Sequence, residues 1–223
     1  MNETEARAGI IAPGLSVETL FASERLCLDF INTEYRRREI AVDIIATADQ
    51  LRRWLRMAED IRGLPLCEDE DWDAKNGETI LLRAVELRTA LRTLVQSAID
   101  KTPASATAIE VVNAILRTNP AYTQLGVSNG TFRESFSVIQ PREKWLVAIA
   151  NDAVDLLCHA DLSLLRQCEY PTCIRVFYDT TKNHKKRWCA EKCGSHSKAA
   201  AYYRRKVAKA VQTRIGTPAP KSQ

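Results

Sequence analysis

The chain has 223 residues, 45% hydrophobic and 27% charged, with a formal net charge of +4, the proportions of an ordinary soluble protein of one or two domains. Its apolar runs fall far short of the roughly 20 residues that a membrane span needs. The opening MNETEARAGIIAPG lacks the basic-then-apolar order of a signal peptide. A cytoplasmic location is therefore expected, where disulfides rarely persist.

In chain order, residues 1–14 read as frayed up to Ala12-Pro13-Gly14. Val17, Leu20 and Phe21 suggest a short strand and Ala22-Ser23 a turn; Leu26, Leu28, Phe30 and Ile31 then suggest a strand or an early helix. Thr47 with Gln50 three residues on predicts a capped helix whose inner face is Leu51, Trp54 and Leu55. Gly63-Leu64-Pro65 ends it, and the acidic link CEDEDWDAKNGE follows.

Residues 80–99 show the clearest helical stripe, through Leu81, Ala84, Leu87, Leu91, Leu94 and Ala98, with Arg83, Arg88 and Arg92 beside it. Pro103 stops that helix, and another is expected over 107–116. The period then changes to two in YTQLGVSNGTFRESFSVIQ, where Asn129-Gly130 predicts a β-hairpin. Pro141 opens a helix over 144–158, broken at His159-Ala160-Asp161. The expected class is mainly α with small β elements (α+β): a helical domain over 1–165, a metal finger over 166–215 and a disordered tail at 216–223.

The finger is expected from CEYPTCIRVFYDTTKNHKKRWCAEKCGSHSK, which holds Cys168-x4-Cys173, fifteen residues, then Cys189-x3-Cys193. Two short-range Cys pairs at this separation suit four thiolates converging on one tetrahedral Zn²⁺. A thioredoxin-like centre would need C-x-x-C beside a βαβ pattern, an Fe–S cluster a characteristic spacing, and two disulfides an exported chain. Four thiolates close the shell and leave no site for a reactive water, so the metal is structural. His184 and His196 are expected to be exposed rather than ligands, and Cys27, Cys67 and Cys158 to be inert thiols. The residues between the pairs suit a β-hairpin, and those after Cys193 a helix, which together make the plan of a treble-clef finger.

Charge is concentrated in the same region. Residues 182–214 hold eleven Lys and Arg against Glu191 alone, so this segment carries +10 and the rest of the chain −6. Such density suits a polyanion. Lys186, Arg187, Lys198, Arg204, Arg205, Lys206 and Lys209 are the candidate phosphate contacts, with base reading unassigned. Ala199, Tyr203, Val207, Ala210 and Val211 form an apolar stripe expected to pack on the zinc hairpin.

These residues resemble the CGNR zinc finger: a C-x4-C knuckle, an aromatic-Asp segment (Phe177, Asp179), a basic run before Trp188-Cys189, then Cys193-Gly194 and a basic helix. Upstream, LCLDFINTE resembles the Leu-Asp-Phe-x-Asn-Thr motif of the ABATE domain that accompanies this finger. The resemblance implies a bacterial transcription regulator, described as stress-induced, with a helical N-terminal domain that senses a signal or oligomerises and a zinc-bound, DNA-binding C-terminus. Two departures stand out. Gly194-Ser195-His196 replaces the namesake Gly-Asn-Arg, and the last Cys pair is one residue narrower than is common. Asp29 and Asn32 in the upstream motif either line an effector pocket or brace a turn.

DNA is thus the expected partner. An RNA-binding module and a protein-interaction adaptor would use the same charges, and a homodimer and a small-molecule effector fit the first domain. An enzyme is the least favoured class, for want of a carboxylate pair, a Gly-rich phosphate loop or a Ser/His/Asp set.

Overall fold

The structure, a computed structural model, describes residues 16–37, 40–64, 66, 74–119, 121–128, 131–138 and 143–215. The frayed start, Pro65, Cys67, most of the acidic link, the Asn129-Gly130 turn, Pro141 and the 216–223 tail lie outside the described residues.

The first elements differ from expectation. Val17–Leu20 is a one-turn helix (α1), not a strand, and Leu26–Ile31 is a helix (α2). Ser16 explains the first: its side chain accepts from the Thr19 N–H at 3.3 Å, so a capped turn overrides the β preference of Val17 and Phe21. Glu34–Arg37 (β1) and Ile40–Asp43 (β2) then form an antiparallel pair that the alternation pattern did not announce.

Ala48–Arg62 (α3) carries the expected capping box between Thr47 and Gln50 and ends on Gly63 in the left-handed conformation (φ 64°). Ala74–Asp100 (α4) starts before the apolar stripe because its first turns are polar and invisible to that spacing. Ala106–Leu116 (α5) is capped by Ser105. Ala121–Ser128 (β3) and Thr131–Val138 (β4) pair antiparallel from Ala121↔Val138 to Ser128↔Thr131, as the Asn-Gly signal predicts. Lys144–His159 (α6) follows.

Helices α2 to α6 enclose one core. Trp54 lies between Phe21 and Phe30 at ring distances of 5.8 and 5.5 Å, and Phe30 reaches Trp145 at 6.3 Å. Aromatic pairs at these spacings add to the burial of their area. Two of the arginines beside the α4 stripe, Arg88 and Arg92, turn inward. Arg88, only 4% exposed, binds both oxygens of Asp43 at 2.8 and 2.6 Å and the Thr33 hydroxyl at 2.9 Å. Arg92 donates to the carbonyls of Ile31, Glu34 and Ile174 at 2.6, 3.0 and 3.1 Å. A stripe of apolar residues thus sets the helix, and its flanking cations tie down the β1–β2 hairpin and the start of the C-terminal region.

That region contains Leu165–Gln167 (β5), Val176–Tyr178 (β6) and the long helix Glu191–Ile215 (α7). Strand β6 pairs with β5 (Leu165↔Tyr178), so the hairpin encloses the first Cys pair rather than lying between the two pairs. Asp179 is the reason. Its fully buried carboxylate accepts the backbone N–H groups of Thr181 and Lys186 at 3.1 and 2.8 Å. Residues 180–187 therefore close as a loop around one side chain instead of returning as a strand.

Candidate metal centre and basic helix

The knuckle is built by backbone hydrogen bonds at the end of the β5–β6 hairpin. The Cys168 N–H donates to the Arg175 carbonyl at 2.9 Å, and the Cys173 N–H to the Tyr170 carbonyl at 2.8 Å, which curls residues 168–173 into a tight turn. Glu169 N–H reaches the Arg187 carbonyl at 2.9 Å and brings the second Cys pair alongside. Cys193 sits in the first turn of α7, its N–H bonded to the Ala190 carbonyl at 3.1 Å.

These constraints bring the sulfurs of Cys168, Cys173, Cys189 and Cys193 within 4.8 Å of one another. Cys173 and Cys189 are 3.7 Å apart, and Cys189 and Cys193 3.8 Å. A tetrahedron with metal–sulfur bonds of about 2.3 Å has edges of about 3.8 Å, so the donor set fits a four-thiolate ion. The Cys189 N–H also donates to the Cys168 sulfur at 3.4 Å, the second-sphere contact that steadies a thiolate ligand.

Hydrogen bonds from Cys173, then Cys189 and Cys193, hold the Cys168 thiol far below its usual range. Contact with the Cys168 and then the Cys173 sulfur pushes Cys189 and Cys193 far above theirs. Four sulfurs this close cannot all ionise without a cation among them. His184 and His196 stay outside the cluster, both exposed. Nδ1 of His184 is 3.2 Å from the Asp179 carbonyl, and the His196 ring is 5.9 Å from Tyr170.

Trp188 joins the cluster to the helix. A Cβ on Gly194 would stand 3.1 Å from the Trp188 ring, closer than such contacts usually come, so the indole packs tightly on the first turn of α7. Arg187 and Lys198 sit 5.0 and 5.9 Å from the Trp188 ring centre, and Lys186 5.0 Å from that of Phe177. Three of the sequence-selected cations thus gather at the helix root. Arg204, Arg205, Lys206 and Lys209 follow along α7, all exposed.

The apolar stripe corrects an expectation. Tyr203, Val207 and Val211 are 64%, 62% and 50% exposed, so the stripe does not pack on the hairpin. Ala200 and Ala201 line the groove between the helix root and the knuckle instead, and beyond them residues 202–211 are exposed. Of the two described thiols outside the cluster, Cys158 is exposed, whereas Cys27 is buried and its thiol pushed well up by burial.

Asp29 and Asn32 are 1% and 3% exposed. Asp29 accepts the Ser23 N–H at 3.2 Å and pairs with Arg62, whose Nε lies at 3.0 Å. Burial nevertheless raises its pKa to about 6 against the pull of Arg62. Asn32 acts like a piece of strand. Its amide donates to the Val176 carbonyl at 2.7 Å and to the Ser23 hydroxyl at 2.9 Å, and its carbonyl accepts the Val176 N–H at 3.0 Å. The motif at residues 26–34 therefore holds the edge of β6, across 144 positions of sequence. Arg175 adds bonds to the carbonyls of Thr19 and Leu20.

A helical body and a four-cysteine knuckle that carries a basic helix define a protein of the metal-finger class. The comparisons then give the family. Residues 24–160 match the ABATE model, described as "Putative stress-induced transcription regulator", and residues 165–206 match the CGNR zinc finger. The chain belongs to the ABATE family and carries a CGNR finger. No curated protein matches it. Among the described residues, no helix is long and apolar enough to cross a membrane.

Proposed function

We propose that the protein is a cytoplasmic transcription regulator that holds Zn²⁺ on Cys168, Cys173, Cys189 and Cys193 and presents α7 to DNA. The observation that carries this reading is the mounting of the helix. Its root is fixed to the metal cluster through Cys193 and Trp188, and its cations from Lys198 onward are exposed. An α-helix fits the major groove, and a row of Lys and Arg neutralises phosphates without reading bases.

The helical body acts as the sensing or dimerising part. Sensing is supported by a cleft of about 470 Å³ between α4, α5 and α6. It is lined by residues such as Leu94, Ile109, Val112 and Leu157, none of its lining residues is charged, and its size lies within the range of small-molecule sites. Asp29 and Asn32 brace the fold in this reading rather than touch an effector.

The test is duplex binding over a salt series with metal analysis of the same sample. One zinc per chain is expected, with a log–log salt slope that flattens by about 2 in the Arg204→Ala, Arg205→Ala double variant. Affinity indifferent to salt and to those substitutions would refute DNA contact by the helix. Tighter binding to structured RNA would move the partner to RNA.

A further inference from the structure

Between the knuckle and the root of α7 lies a groove of about 480 Å³ that the row of exposed cations does not explain. The knuckle side carries Tyr170 and Trp188; the helix side carries Ser197, Lys198 and Arg204, with small alanines between them. The hydroxyl of Ser197 is buried and has no hydrogen-bond partner. Arg187 sits at the rim, where it is paired with Glu169 at 2.6 Å. With that pair neutral, Lys198 and Arg204 leave the groove a net charge of +2.

Backbone phosphates of an intact duplex need exposed cations, not a concave slot. A slot with an aromatic wall and two cations matches a unit with a flat ring and a phosphate. Bases stack on aromatic side chains whatever their identity, and neighbouring Lys and Arg take the backbone. We propose that this groove takes one unstacked nucleotide of the bound strand, with its base on Tyr170 and its phosphate on Lys198 and Arg204. Trp188 is a positioning residue, since its ring lies 5.9 Å from the Lys198 ammonium and against Gly194. The inference rests on the nucleic-acid reading above. It commits to a strand rather than a free nucleotide, because the charge continues from the groove along α7 through Arg205 and Lys209.

The experiment compares a blunt duplex with the same duplex carrying one unpaired nucleotide, at fixed salt, with adenosine monophosphate as competitor. The metal-loaded full chain should bind the bulged duplex about tenfold tighter, a typical worth of one stacked base. Two variants should remove that gain while leaving the blunt duplex unchanged: Tyr170→Leu, which keeps packing but cannot stack, and Ser197→Leu, which fills the groove from the α7 side. Metal content of each variant shows whether the finger is intact. Equal affinity for the two duplexes would overturn the inference and leave duplex binding standing. A gain that survives both variants would reflect DNA flexibility and would also overturn it. Displacement by micromolar adenosine monophosphate would make the groove a free-nucleotide pocket and overturn the commitment to a strand. Failure of both duplexes to bind would overturn the nucleic-acid reading itself.

Discussion

Asn32→Ala is the sharpest probe of how the body holds the finger. The substitution deletes three hydrogen bonds, at 2.7, 2.9 and 3.0 Å, and leaves the N–H and C=O of Val176 on the Asn32 side without partners in a buried setting. Each orphaned group costs about 1–3 kcal/mol, so a loss of about 3–4 kcal/mol is expected from a total of about 5–15 kcal/mol. With a urea slope of about 2 kcal/mol per molar, the unfolding midpoint should fall by about 1.5–2 M. The measurement is urea unfolding of the metal-loaded chain, followed by far-ultraviolet circular dichroism and by metal released to a chromogenic chelator. Both signals should shift to lower urea, because Val176 belongs to the hairpin that encloses the first Cys pair. A midpoint change below about 0.3 M would refute the view that this amide secures β6.

Other expectations follow from the same geometry. Gly194→Ala puts a methyl 3.1 Å from the Trp188 ring and should cost about 1–3 kcal/mol, read as weaker metal retention and a shifted tryptophan emission. Removal of the metal by a chelator should expose residues 168–198 to protease while the body over 16–160 survives; uniform digestion would contradict a locally organised finger. The pKa of Asp29 is raised from 3.8 to about 6, so its contribution to stability is fully present below pH 3.8 and is lost as pH rises through 6. The unfolding free energy of the wild type relative to Asp29→Asn should therefore fall by about 1.4 kcal/mol between pH 5 and pH 8. A rise over that interval would mean that the Arg62 pair outweighs burial.

What the sequence disclosed depended on the range of the interaction. The convergence of the four cysteines was legible because each pair closes within a single turn, and the Thr47–Gln50 cap because it spans three residues. Ser16 and Asp179 act as locally, but the β signal at Val17 to Phe21 hid the first cap, and the second closes residues 180–187 as a loop where the return strand of a hairpin was expected; the strand at Val176 to Tyr178 itself is present. The partner of Asn32 lies in a strand 144 residues away, beyond any periodicity. Arg88 illustrates a further limit: a cation beside an apolar stripe reads as solvated, and only the position of Asp43 turns it inward. The exposure of Tyr203, Val207 and Val211 was hidden for the opposite reason, since a stripe reveals that a face is apolar but not what meets it.

The placement of Cys193 within the first turn of α7 reaches beyond coordination. Starting a helix in water is penalised by a factor of about 10⁻³, whereas extending it is nearly neutral for sequences rich in Ala, Lys and Arg. Beyond its root this helix gains little from packing, so its order depends on how it is begun. A bound ion that fixes the first turn removes an initiation barrier of about 4 kcal/mol. Loss of such an ion is then expected to shorten the ordered part of α7.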